Sequence, residues 1–245
     1  MKKKMLFICA AGLLTASIAS AIESANVVGY QKFQGVAGAF TFLAPNFIDV
    51  LPEVDQTFSL DRVMSGDFSE GDEIQFYGTD GNSAGGTLFW RKSVNYGGFL
   101  DDGWYTGGYA PATDLVMDAG QSVFILTRAA TPIYIAGQVD FEDVVIWPVV
   151  GFNAIGNCTH FPLELDDIEF TDLSEGDEIQ FYGPDGNSAG GTLFWRKSVN
   201  YGGFLDDGWY TGGYLPAGDT SLDPGDGIFL NVKAAGSSVT IPASL

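Results

Sequence analysis

Residues 69–109 read SEGDEIQFYGTDGNSAGGTLFWRKSVNYGGFLDDGWYTGGY, and residues 174–214 repeat them with one change, Thr79 to Pro184. The offset is 105 residues, 174 minus 69. A structural repeat ordinarily keeps its core and lets its surface drift. Here loops, glycines and charges are copied too. Within the block, Ile74 to Tyr77 and Thr87 to Trp90 are short runs rich in β-branched and aromatic residues. Asp80-Gly81-Asn82 between them has the composition of a hairpin loop. The block therefore predicts β-structure, built twice.

The repetition extends outward. Leu60-Asp61-x-Val63 pairs with Leu165-Asp166-x-Ile168, and Met117 to Ile125 pairs with Leu222 to Leu230. Thr131 to Ala136 pairs with Ser237 to Pro242. Upstream, Phe42 to Asn46 pairs loosely with Asn153 to Asn157, which sets Cys158 against Phe47 as a small buried apolar position. Each unit is longer than a solenoid repeat. Further strands are expected at Val27 to Phe33, Phe40 to Leu43, Val123 to Leu126 and Ile133 to Ile135, with turn residues every eight to twelve positions. Asp223-Pro224-Gly225-Asp226 has the Pro and Gly placement of a type II turn. The helical candidates are Ser59 to Met64 and Glu164 to Glu169, one or two turns each, with Asp55 or Asp61 as possible caps of the first. Thirty-three glycines argue against long helices. The expected fold is all-β: two tandem, abutting β-sandwich or barrel-like domains over residues 22–136 and 137–245, without a linker.

The first 21 residues read as an export signal. Lys2, Lys3 and Lys4 precede the apolar run Met5 to Ile18, too short to span a bilayer comfortably. Ala19-Ser20-Ala21 is a small-x-small cleavage site, so the mature chain is expected to begin near Ile22. Its expected location is outside the cell or on its surface, without membrane insertion. Cleavage removes three of eleven basic residues and none of the 31 acidic ones, moving the net charge from −20 to −23. That excess disfavours nucleic acid and anionic membranes as partners. After cleavage Cys158 is the only cysteine, so no intrachain disulfide forms.

The opening Ser24-Ala25-Asn26-Val27-Val28-Gly29-Tyr30 resembles the start of a secreted domain type of environmental bacteria such as Verrucomicrobia and Lentisphaerae. A hydrophobic segment follows with Leu43-Ala44-Pro45-Asn46, then an aromatic strand, a Gly-Trp element and the closing Met117-x-Ala119-Gly120-x-x-Val123-Phe124-Ile125. The resemblance covers both copies. It implies an exported β-protein and no particular reaction.

Catalytic sets are sparse. His160 is the single histidine and has no counterpart in the first copy, so neither a nucleophilic triad nor a zinc site is expected. Asp101-Asp102 and Asp206-Asp207 could join Glu70, Asp72 or Glu73 as a glycosidase pair, but adjacent residues on a strand point apart. The Asp80 to Ser83 and Asp185 to Ser188 loops offer oxygen ligands without the full calcium-loop pattern. No catalytic residue, metal or cofactor is therefore expected.

The aromatic cluster carries the binding expectation. Tyr96, Trp104, Tyr105 and Tyr109, with their copies Tyr201, Trp209, Tyr210 and Tyr214, lie among glycines and aspartates. Trp90 shares a strand face with Leu88, which reads as core, and packing is the better reading for the tryptophans generally. The tyrosines between glycines are expected to be exposed. The sequence thus points to a secreted non-catalytic structural or adhesive protein. The alternatives are a carbohydrate-binding protein with two equivalent sites and, behind it, a polysaccharide-degrading enzyme. The expected partner is an extracellular polysaccharide or another surface protein.

Overall fold

The computed structural model describes residues 28–47, 57–59, 64–77, 86–112, 116–139, 141–182 and 188–243. The leader, the Asp80 to Ser83 and Asp185 to Asn187 loops and most of the first helical candidate lie outside them. The described chain is all-β, with its sheets in a ring of four blades. Among the described residues the only helical turns are short 3-10 segments at Ser93–Tyr96, Leu165–Asp167 and Ser198–Tyr201. The second of these is the helical candidate at 164–169. Its first turn is closed reciprocally by the Glu164 and Asp167 side chains.

Among the described residues twenty strands fall into two equal sets. The first copy supplies β1 (Val28–Gln34), β2 (Phe40–Leu43), β3 (Thr57–Ser59), β4 (Met64–Gly66), β5 (Glu73–Phe76), β6 (Thr87–Arg91), β7 (Gly103–Thr106), β8 (Val116–Asp118), β9 (Val123–Leu126) and β10 (Pro132–Gln138). The second supplies β11 (Val144–Ile146), β12 (Gly151–Gly156), β13 (Leu163–Glu164), β14 (Glu169–Thr171), β15 (Glu178–Tyr182), β16 (Ser188–Arg196), β17 (Gly208–Tyr210), β18 (Ser221–Leu222), β19 (Gly227–Val232) and β20 (Ser238–Ile241). The sheet β2-β9-β5-β6-β7 matches β12-β19-β15-β16-β17, β1-β10-β4 matches β11-β20-β14, and β3-β8 matches β13-β18. All pairings among the described strands are antiparallel, and the sequence neighbours β5-β6-β7 and β15-β16-β17 pair directly in order.

Burial follows strand period. In β5, Ile74 and Phe76 point inward while Glu73 and Gln75 are half-exposed. β9 instead buries Val123, Phe124 and Ile125 in succession, because both of its faces are covered. Val123 and Ile125 enter the core of the first copy, with Leu43, Ile74, Leu88, Trp104 and Ile133. Phe124 points the other way into a cluster with Phe42, Ala154 and Phe229, which joins the copies. β19 does the same with Ile228 and Leu230 in the second core and Phe229 in the shared cluster.

The seam between the copies is nearly two-fold. Leu43 bridges Asp226, and Ile155 bridges Gln121. The Ala44 N–H donates to Gly225 O at 2.8 Å, and the Gly156 N–H to Gly120 O at 3.0 Å. Tyr77 meets Phe229 across the seam and Tyr182 meets Phe124, both edge-on. This is the self-complementary contact of a two-fold dimer, here made within one chain.

Two pairings expected from sequence shift. Leu43 pairs with Val123, and Ile155 with the matching Ile228, so the offset here is 112 (155 minus 43) and the loose alignment of Phe42 to Asn46 slips by one residue. The counterparts are unlike at one place, where Phe42 stacks on Phe124 at 4.2 Å and Phe229 at 5.0 Å while its own counterpart is Ala154, and alike at another, where Phe124 and Phe229 meet at 5.8 Å. Cys158 is half-buried, where sequence predicted burial, whereas Phe47 is buried.

Candidate functional site

In both copies the exposed, identically copied segment is the excursion between β6 and β7, with the turn that follows β7. A 3-10 turn, Ser93–Tyr96, ends at Gly97 and Gly98, whose φ values of 63° and 80° lie in the left-handed region where glycine is unstrained. The chain then returns through Phe99 and Asp101-Asp102 to β7. The same geometry recurs at Ser198–Tyr201, Gly202 and Gly203.

Glu70 holds one side of this excursion. Its carboxylate accepts from Arg91 Nη1 (3.0 Å), the Lys92 N–H (2.7 Å), Asn95 Nδ2 (3.1 Å) and Tyr96 Oη (2.9 Å). Desolvation works to raise this carboxyl, but the four donors outweigh it and hold it down at about 2. Loss of hydration, the Glu70 hydrogen bond and Tyr109 push the Tyr96 phenol up to about 12. On the other side Asp102 accepts from the Ser93 N–H at 2.7 Å. Glu175 repeats the clamp on Arg196, Lys197, Asn200 and Tyr201, again held down at about 2. Asp207 repeats the bond to Ser198.

The turn after β7 completes the arrangement. The Tyr109 N–H donates to Thr106 O, closing a turn through Gly107 and Gly108. Tyr109 itself sits at φ 64°, and Tyr214 at 61°, a conformation that costs a non-glycine residue strain. The Tyr109 ring meets Tyr96 edge-on at 5.7 Å and lies under the Arg91 guanidinium at 5.1 Å. Tyr201, Tyr214 and Arg196 match this.

Of the eight aromatic residues singled out by sequence, the structure keeps four at the surface site. Tyr96 and Tyr201 are half-buried in the clamp, and Tyr109 and Tyr214 are about half-exposed, at 50% and 49%. Trp104, Tyr105, Trp209 and Tyr210 are buried, which removes them from any ligand surface. Trp104 packs on Phe68 and Trp90, and Trp209 on Phe170 and Trp195. The Tyr105 and Tyr210 hydroxyls donate to the Asp101 and Asp206 carbonyls, so each ring fills the base of the loop. In β7 and β17 the Trp faces the core and the adjacent Tyr is buried on the opposite face, beneath the loop.

Sequence reasoning missed the residues that protrude. Phe99 and Phe204 are 94% and 93% exposed, and Val94 and Val199 are each 82% exposed. Their signal was present: an apolar residue directly after a glycine pair, ahead of two aspartates. The carboxylates are committed elsewhere. Glu70 is saturated by donors, and Asp72 is fully buried, accepting from the Ser69 and Arg128 N–H groups. Asp101 and Asp102 are exposed.

Comparison with family models, with characterised proteins and with solved structures finds no match. Among the described residues no helix is long and apolar enough to cross a membrane.

Proposed function

We propose that the chain is a secreted, non-catalytic adhesive or structural protein of the bacterial cell surface or extracellular matrix. It grips its target through two copies of one loop, with Val94, Phe99 and Tyr109 in the first and Val199, Phe204 and Tyr214 in the second. We further propose that each copy is a domain, with the boundary expected at 136/137 moved beyond Val139 because Gly137 and Gln138 pair with β1 and Val139 packs in the first core, and with its five- and three-stranded sheets facing across its own core. The export signal, with cleavage near Ile22, and the resemblance to secreted domains of environmental bacteria belong to this reading.

The observation that carries it is the duplication of fully exposed Phe99 and Phe204 on a tightly bonded loop. Exposed apolar side chains in a contiguous group mark interaction sites. A loop already ordered by a carboxylate clamp loses little entropy on binding. A polysaccharide is the second reading, favoured by the half-exposed Tyr109 and Tyr214 rings, with a surface protein as the other target. Of the carboxylates that a glycosidase would use, Glu70 is bound into the clamp, Asp72 is buried and Glu73 is paired with Arg128, which weighs against the degradative reading. The test is binding of the purified protein to cell-surface material and to polysaccharides, against the variant Phe99→Ser/Phe204→Ser. The reading predicts binding that this variant loses. Equal binding by the variant, or none by the parent, overturns it.

A further inference from the structure

The turn after β7 puts a tyrosine where glycine ordinarily stands. Gly107, Gly108 and Tyr109 form a hairpin loop of three residues. The Tyr109 N–H donates to Thr106 O at 3.0 Å, the Thr106 N–H donates to Ala110 O at 2.9 Å, and Tyr105 bridges Pro111. The third residue of such a loop is left-handed, which is why glycine is its usual occupant. Here it is Tyr109 at φ 64°, and in the second copy Tyr214 at 61°. Among the described residues the only other non-glycine residue with a positive φ is Asp172.

The glycines stand instead at the two positions that do not need them. Gly107, Gly108, Gly212 and Gly213 all lack a positive φ. Close packing does not call for them either. An added Cβ would come no nearer to a neighbour than 3.9 Å on Gly107 and Gly212 and 3.8 Å on Gly108 and Gly213, ordinary contact distances. What the glycines do is keep the turn bare beside the ring, and Gly107, Gly108 and Tyr109 are all exposed. Arg91 and Tyr96 fix that ring on the protein side. A strained conformation that recurs in both copies, at an exposed ring, is the kind found where a ligand is held.

The chemistry around the ring selects the ligand. Asp101 and Asp102 are exposed acceptors on the same excursion, and Asp102 bonds Ser93, the first residue of the 3-10 turn that ends at Tyr96. The cations beside the loop are engaged, Arg91 by Glu70 at 3.0 Å and Lys92 by Asp67 at 3.9 Å. With a net charge of −20, such a surface repels polyanions. An aromatic face, negative at its centre, takes the C–H face of a sugar ring, and carboxylates accept from sugar hydroxyls.

We propose, resting on the adhesive function of these loops, that their ligand is an uncharged polysaccharide. One sugar ring lies on Tyr109 and across the bare Gly107-Gly108 turn, and another lies on Tyr214 and across Gly212-Gly213. The tyrosine is kept at a position made for glycine because its ring is the stacking surface.

The test is binding of the whole protein to bacterial cell-surface material treated either with protease, which removes proteins, or with periodate, which opens sugar rings at vicinal hydroxyls. Binding is expected to survive protease and to be lost on oxidation. It is expected to change by less than about twofold between about 0.01 M and about 1 M salt. Tyr109→Asn/Tyr214→Asn supplies a residue that tolerates the left-handed conformation but lacks the ring. It is expected to weaken binding about tenfold or more and to leave the denaturant midpoint unchanged or raised. Gly108→Leu/Gly213→Leu covers the turn without backbone strain and is expected to weaken binding as much. If the tyrosine pair lowers the midpoint, the ring serves the fold, and the glycine pair decides. Binding kept by the glycine pair, or a larger salt dependence, overturns the proposal. Binding lost to protease and kept after periodate identifies a protein target and overturns it too, while the adhesive reading stands if Phe99→Ser/Phe204→Ser still abolishes that binding. A parent that binds no surface material sinks the adhesive reading itself.

Discussion

Tyr105 and Phe99 lie six residues apart and divide the loop into a part that holds and a part that shows. Tyr105 and Tyr210 are 6% exposed, so Tyr105→Ala/Tyr210→Ala removes two buried rings. Each is expected to cost about 3–5 kcal/mol, read as a lower denaturant midpoint. Phe99→Ser/Phe204→Ser touches only exposed atoms and is expected to shift stability by about 0.5 kcal/mol or less. Equal losses from the two double variants would contradict this division. The Glu70 carboxyl sits at about 2 against an ordinary 4.5, so its contribution is complete above 4.5 and is lost as pH falls towards 2. Tyr96 sits at about 12 against 10, so its contribution is complete below 10 and is lost as pH rises towards 12. The loop is expected to hold its protection against amide exchange between about pH 4.5 and 10 and to lose it on both sides. Loss of protection near neutral pH would show that the clamp does not order the loop.

At the scale of elements, the seam decides where the two copies may be alike. Ala44 and Gly156 are counterparts, and a Cβ on Gly156 would lie 2.7 Å from the Ala44 Cβ and 2.2 Å from Asp226 O. Gly156→Ala is therefore expected to destabilise the protein by about 1–3 kcal/mol in denaturant unfolding, more than Gly98→Ala would by crowding, since Gly98 has open space around it. A neutral Gly156→Ala would mean that the seam is looser than described. The same geometry explains what sequence reading reached. Five of the six expected strands were legible to within a residue, and the sixth, Ile133 to Ile135, is the centre of the longer β10, because alternation and β-branched runs report burial directly. The seam was not legible, because β2 and β12 stand at an offset of 112 (155 minus 43) where the verbatim block stands at 105, and they pair unlike residues. Phe42 against Ala154 and Ala44 against Gly156 look like drift. Nor was the aromatic slot beneath Trp104 and Trp209: Phe68 fills the first, but Phe170 fills the second although Leu173 is its match by offset. The position of Phe99 depends on a left-handed glycine pair and a carboxylate 29 residues upstream (99 minus 70), and no local period encodes it.

For the whole molecule, the account joins identity at the surface to complementarity at the seam. The cluster of Phe42, Phe124, Ala154 and Phe229 ties the two cores together, so the chain is expected to unfold in one transition by both fluorescence and far-ultraviolet dichroism. Two separated transitions would mean that the copies fold independently of the seam. Under the proposed function, two equal loops on one chain are expected to bind a repeating target with an avidity gain of about 10²–10⁴ over one. The most direct measurement of the proposed function is binding of the parent protein to bacterial cell-surface material. Four proteins are compared: that parent, Phe99→Ser, Phe204→Ser and the double change. Each single change is expected to lower apparent affinity by the same factor, about tenfold or more, and the double change to abolish binding. Unequal single variants, or a double variant that still binds, would contradict two equivalent sites on these loops.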